Sequence, residues 1–173
     1  MKILLMLLVL FPSYCLSKDV FYQKYQFTIP DDYRVFDHRP FLKNDESVYI
    51  VNHNKKLMMV LRIDKTFVLD EYAVKSYRNL FYLLFGGEST NNKAVLEFRQ
   101  FNARNHLQSF EISKINDFVF FRTNNVSNAI GETVFLVSTP LDDEALHIYF
   151  TAKANEALIQ SIIDSLMVSL NVK

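Results

Sequence analysis

Four histidines, His38, His53, His106 and His147, are the side chains of this sequence best suited to acid–base or metal chemistry. Their spacing argues against both. No two stand four residues apart, as paired imidazoles on one helical face would, and there is no His-Glu-x-x-His, so no metal centre is expected. His147 alternates with Tyr149 and Thr151, opposite Leu146, Ile148 and Phe150, and reads first as a packed or surface residue of a strand. The place at which a hydrolytic site is considered is His147 with the neighbouring Asp142-Asp143-Glu144. That acidic cluster and Asp31-Asp32 lack the alternating oxygen ligands and the glycine of a calcium loop, and read as solvated turns. There is no Gly-x-Ser-x-Gly, Gly-x-Gly-x-x-Gly or P-loop, and three glycines are too few for a phosphate cradle. The expectation is therefore no enzyme and no cofactor.

Cys15 is the only cysteine. It follows Lys2, an apolar block of nine residues (3–11) and Pro12-Ser13, the charged, apolar and breaker regions of an export signal. The block is about half of what a bilayer span needs. Tyr14 is too bulky for the position before a lipidated cysteine, whereas Cys15 and Ser17 supply the small side chains that signal peptidase prefers. Residues 1–17 are expected to be a signal peptide and 18–173 one globular domain, released to the periplasm or secreted. A lipoprotein anchored through Cys15 is the less favoured outcome. The short leader with one lysine looks bacterial, so the sequon Asn125-Val126-Ser127 is read as chance. Cleavage there leaves no thiol for catalysis or disulfides, and stability must come from the core.

Half of the residues are hydrophobic and 14% aromatic, which suits a packed domain, and 19 basic residues balance 19 acidic ones. Such a balance gives no field to recruit nucleic acid or an anionic membrane. No membrane insertion of the mature chain is expected, because "NLFYLLFGG" is interrupted by Gly86-Gly87 and preceded by Lys75 and Arg78.

The elements follow from hydrophobic period. Tyr25, Phe27 and Ile29 alternate with Lys24, Gln26 and Thr28, a strand ended by Pro30-Asp31-Asp32. Residues 46–52 and 56–64 flank His53-Asn54-Lys55 as an antiparallel hairpin. From Asp70 the period becomes helical. Ala73, Tyr77, Leu80, Phe81 and Leu84 form one stripe opposite Glu71, Lys75 and Arg78, closed by Gly86-Gly87. Strands are expected at 95–101, 108–112, 118–123, 133–138 and 146–151, the last after the turn Pro140-Leu141-Asp142-Asp143. A final helix carries Leu158, Ile159, Ile162, Ile163, Leu166 and Met167 on one side, with Asn155 placed as its cap. Several strands are apolar on both faces, as in "TVFLVS" and "LMMVL", so helices should cover both sides of the sheet. The expected fold is α+β: an α/β/α sandwich with a central antiparallel sheet covered by helices on both faces.

The early "YQFTIPDDYRV", the paired strands, "LDEYAVKSYRNLF" and the closing "EALIQSIIDSL" resemble the PsbP/DcrB-like superfamily over most of the chain after residue 17. That resemblance implies a non-enzymatic binding or assembly factor, as photosystem subunits, a Ran-binding nuclear factor and bacterial envelope proteins of the superfamily are. No functional residue carries over.

The leading expectation is an exported, non-enzymatic binding or assembly factor of the bacterial cell envelope, its partner another protein. A periplasmic immunity protein that neutralises a rival's toxin and a hydrolase with an unrecognised site are the alternatives. The binding surface is expected at Tyr33, Phe36 and Phe41, in an irregular stretch able to present large rings on a rigid scaffold.

Overall fold

The computed structural model describes residues 17–36, 47–54, 57–87, 89–104, 110–127, 133–152 and 156–173. Cys15, residues 1–16 of the segment expected to be a signal peptide, and Asn155 lie outside them. Strand β1 (Ser17–Tyr22) pairs antiparallel with β2 (Tyr25–Pro30), from Ser17↔Pro30 to Tyr22↔Tyr25. Gln23 makes the tight turn between them with φ 51°. Tyr25, Phe27 and Ile29 all point inward, as their alternation demands. Next come β3 (Arg34–Phe36), β4 (Val48–Asn52) and β5 (Leu57–Asp64). The β4–β5 pair is the expected hairpin, in register from Val48↔Leu61 to Asn52↔Leu57.

Helix α1 (Tyr77–Phe85) is shorter than its hydrophobic stripe predicts. A 3-10 turn at Leu69–Tyr72 stops at Ala73, whose φ of 54° is left-handed. The helix restarts at Ser76, whose Oγ accepts the Asn79 N–H at 3.2 Å. Of the expected stripe, Tyr77, Leu80, Phe81 and Leu84 are buried, whereas Ala73 stands before the helix and is exposed.

Helix α2 (Lys93–Arg104) replaces the strand expected at 95–101. The Asn92 carboxamide caps it by accepting the Val95 N–H at 3.3 Å, and Val95 and Phe98, one turn apart, pack with Leu80 and Leu84 of α1. Packing on α1 selects the helical period over a pattern that also reads as a strand.

The strands β6 (Glu111–Ile115), β7 (Phe118–Ser127), β8 (Thr133–Pro140) and β9 (Ala145–Ala152) follow, then α3 (Glu156–Ser169) and a short β10 (Asn171–Val172). Of the strand expected at 108–112, residues 111–112 belong to β6, which runs on to Ile115. Seven strands form one antiparallel sheet in the order β3-β4-β5-β9-β8-β7-β6, and β1-β2-β10 form a second. On one face of the large sheet, Met59, Leu61, Phe120, Ile148 and Phe150 share a core with α3 and the small sheet. On the other, Val119 and Phe121 pack under Tyr77 and Phe81 of α1. Helices on opposite faces of an antiparallel sheet make this the expected α+β sandwich. Among the described residues no helix is long and apolar enough to cross a membrane.

Candidate functional site

Cross-strand register brings together three side chains far apart in sequence. Ser138 of β8 stands beside His147 of β9, and Asp64 closes β5 on the far side of β9. Ser138 Oγ lies 2.7 Å from His147 Nδ1, and His147 Nε2 lies 3.6 Å from Asp64 Oδ2. Asp64 Oδ1 also accepts from the Thr66 N–H at 2.8 Å and the Thr66 hydroxyl at 2.6 Å. The hydrogen bond to His147 is the main reason that the Asp64 carboxyl titrates well below the usual range; burial pulls the other way and Thr66 adds to the lowering.

Serine, histidine and aspartate in a row are the residue types of acyl transfer, yet the arrangement suits packing better. Ser138 is 1% exposed and lies mid-strand between β7 and β9, where ladder pairing occupies its backbone and supplies no oxyanion donors. The Phe81 ring sits 5.9 Å from the imidazole. What the geometry does is satisfy a buried hydroxyl and a partly buried imidazole against each other. Ser138→Ala should therefore cost about 1–3 kcal/mol in urea denaturation by leaving His147 without that partner. A neutral or stabilising result would show that the contact contributes nothing.

The loop suspected of joining His147 in a site faces elsewhere. Glu144 is buried against Tyr25, Lys24 and Lys65, and His147 takes its acid from β5.

A second feature lies on the same face as α1, farther toward β3. The register sets Phe36, Tyr49, Val60, Tyr149 and Leu136 in one row across five strands. Val51 and Met58 stand in the next row. Helix α1 packs on β7 and β8, and α2 packs on α1, so the described helical layer lies toward the β6 edge. Val51, Met58, Val60, Leu136 and Tyr149 remain half-buried, and Phe36, on the edge strand, is 46% exposed. Arg34 and Arg62 share this face, at the same strand parity as Phe36 and Val60, and both are exposed. Among the described residues neither is paired with a carboxylate. Burial raises the Tyr149 hydroxyl above its ordinary pKa, against the nearby Arg62 charge. An apolar and aromatic strip with cations beside it can dock a complementary surface.

Of the three residues expected to form a binding surface, Phe36 belongs to this strip and Phe41 lies outside the described residues. Tyr33 is a correction, because it is wholly buried in the main core. The turn that joins the Tyr33 N–H to the Pro30 carbonyl at 3.2 Å tucks the ring inward, and burial, with a smaller contribution from Asp32, pushes its hydroxyl up to about 12. Half-buried Val60, Leu136 and Tyr149, and the buried Tyr49 that joins them to Phe36, are not among the binding residues expected from the sequence. Their signal was the two-sided apolar character of the strands, which sequence reasoning assigned wholly to helix cover. Among the described residues no group of three or more His, Cys, Asp or Glu could hold a metal ion.

No protein-family profile matches the chain, and no curated protein matches it. Solved structures do. A crystal structure from Bacteroides thetaiotaomicron VPI-5482 superposes with a TM-score of 0.50 at 15% identity over 87% of this chain, which spans only 45% of that one. The solution structure of cyanobacterial PsbP (CyanoP) from Synechocystis sp. PCC 6803 gives a TM-score of 0.49 at 13% identity, covering 91% of this chain and 92% of that one. At such identities a structural likeness is one of fold alone and assigns no residue a role.

Proposed function

We propose that the protein is an exported, non-enzymatic factor of the bacterial cell envelope that binds or assembles with another protein through the Phe36 strip of its large sheet. The observation that carries this reading is the row itself: a half-exposed ring on an edge strand, continued inward by Tyr49, Val60, Tyr149 and Leu136. Aromatic side chains set in a strip are efficient anchors, since they bury much apolar area while ordering few torsions. Support for the absence of catalysis is the burial of Ser138, which spends its hydroxyl on His147. Support for export is the leader with its small-residue pair at Cys15 and Ser17.

Two measurements test the reading. A photo-crosslinking residue at position 36, in cells, should form an adduct with one envelope protein, while the same residue at the exposed position 96 of α2 should not. Absence of an adduct at 36, or equal adducts at both, would count against the strip. The intact mass of the exported protein should begin at Lys18; a diacylglyceryl Cys15 as first residue would overturn release into solution.

A further inference from the structure

We propose that the β8–β9 turn is a latch that couples the N-terminal β1–β2 hairpin to helix α1, with the Glu144 carboxylate as its closing group. This goes beyond the binding reading and does not depend on it.

The turn engages elements from both sides of the large sheet. Toward the small sheet, the Glu144 side chain is 3% exposed and accepts from the Tyr25 hydroxyl at 2.8 Å, Lys24 Nζ at 3.1 Å and Lys65 Nζ at 2.9 Å. Tyr25 opens β2, and Lys24 belongs to the hairpin turn before it. Toward α1, the carbonyls of Asp142 and Leu141 accept the first helical N–H groups, from Tyr77 at 3.0 Å and Arg78 at 2.9 Å. The Leu141 N–H returns to the Glu144 carbonyl at 2.8 Å, so the residue that grips the hairpin also fixes the carbonyls that hold the helix.

Helix α1 depends on that hold. A helix of nine residues is too short to persist by its own hydrogen bonds, and its leading N–H groups need acceptors. Ser76 supplies one and the turn supplies two. Among the gripping groups the carboxylate is decisive. Lys65 is 59% exposed and Lys24 32%, so both ammonium groups can pass into water at small cost, whereas Glu144 is enclosed and cannot stay charged there without them. Burial alone would raise the Glu144 carboxyl; the hydrogen bonds from Lys65, Tyr25 and Lys24 outweigh it and leave it lowered. When the hairpin lets go of Glu144, the turn loses its fixed shape, and α1, whose Phe81 covers His147, loses the acceptors at its start.

Hydrogen exchange of the folded protein, read by mass spectrometry, tests the coupling. Glu144→Gln keeps an acceptor for Tyr25 but removes the charge. It should speed exchange roughly tenfold, equivalent to about 1.4 kcal/mol of local stability, in segments 18–30, 77–85 and 141–144 together. Protection in β5 and β9 should hold. Coupling is reciprocal, so Leu84→Ala in α1 should loosen segment 18–30 as well. Asp143→Asn, which touches only the exposed end of the Lys24 pair, should leave all segments as they are. If Glu144→Gln fails to fold, Lys65→Met should give the same pattern at smaller amplitude. Looseness confined to the hairpin with α1 unchanged would overturn the latch, and so would a uniform rise across every strand.

Discussion

Phe81→Ala is expected to lower the unfolding free energy by about 3–5 kcal/mol, the range for truncating a fully enclosed aromatic ring. The ring is 2% exposed and meets Phe85 and Phe121 edge-on, at 5.3 and 5.5 Å between centroids, besides covering His147. Its loss removes transfer free energy, leaves a cavity between α1 and the sheet, and breaks two aromatic pairs. Lys75, exposed just before α1, is the control: Lys75→Ala should change stability by no more than about 0.5 kcal/mol. Urea denaturation of both variants measures the difference, and similar losses would mean that the helix presents another face to the sheet.

Acid should unfold the protein cooperatively below the ordinary carboxylate range. Asp64, Asp143 and Glu144 all titrate below their usual values in the folded chain, held down respectively by His147 with Thr66, by Lys24, and by Lys65, Tyr25 and Lys24 against burial. A carboxyl whose folded pKa is depressed contributes stability that is fully present above its unfolded pKa, about 4. That contribution is lost as pH falls through the folded value. Melting temperature should accordingly be flat from pH 7 to about 5 and fall steeply below about 4. Asp64→Asn should lower it at pH 7 and flatten the fall, since the amide has no proton to take up. An unchanged slope in that variant would remove Asp64 from the list of stabilising charges; Asp143, wholly at the surface, should contribute least.

Elements whose pattern is local were legible in the sequence. The alternation of Tyr25, Phe27 and Ile29, the hairpin around His53-Asn54 and the apolar side of α3 all needed only neighbours along the chain. Elements decided by tertiary contact were not. Residues 95–101 satisfy a strand pattern in isolation, and become helical because Asn92 caps them and Leu80 and Leu84 receive Val95 and Phe98. The break at Ala73 answers to the β8–β9 turn, whose carbonyls claim the N–H groups of Tyr77 and Arg78. Short edge strands such as β3 and β10 carry too few residues to show a period. The site divides in the same way. Ser138 and His147 flank a turn that was read correctly, so counting back from Pro140↔Ala145 pairs them. Asp64 joins only because β5 lies beside β9, a pairing across some eighty residues that no local pattern announces. Tyr33 and Phe36 look alike in sequence; backbone direction alone sends one ring into the core and leaves the other half in water.

Function by docking, without chemistry at Ser138, is tested most directly by capture of envelope proteins on the tagged chain, comparing Phe36→Ala combined with Val60→Asp against Ser138→Ala. The first variant should lose the partner that the wild-type chain retains while its melting temperature stays within about 5 °C, because both side chains lie on the partly open face. The second should keep the partner. Retention by the strip variant, with loss of partner or phenotype on replacing Ser138 at unchanged stability, would contradict the account and move the function to the serine–histidine–aspartate row.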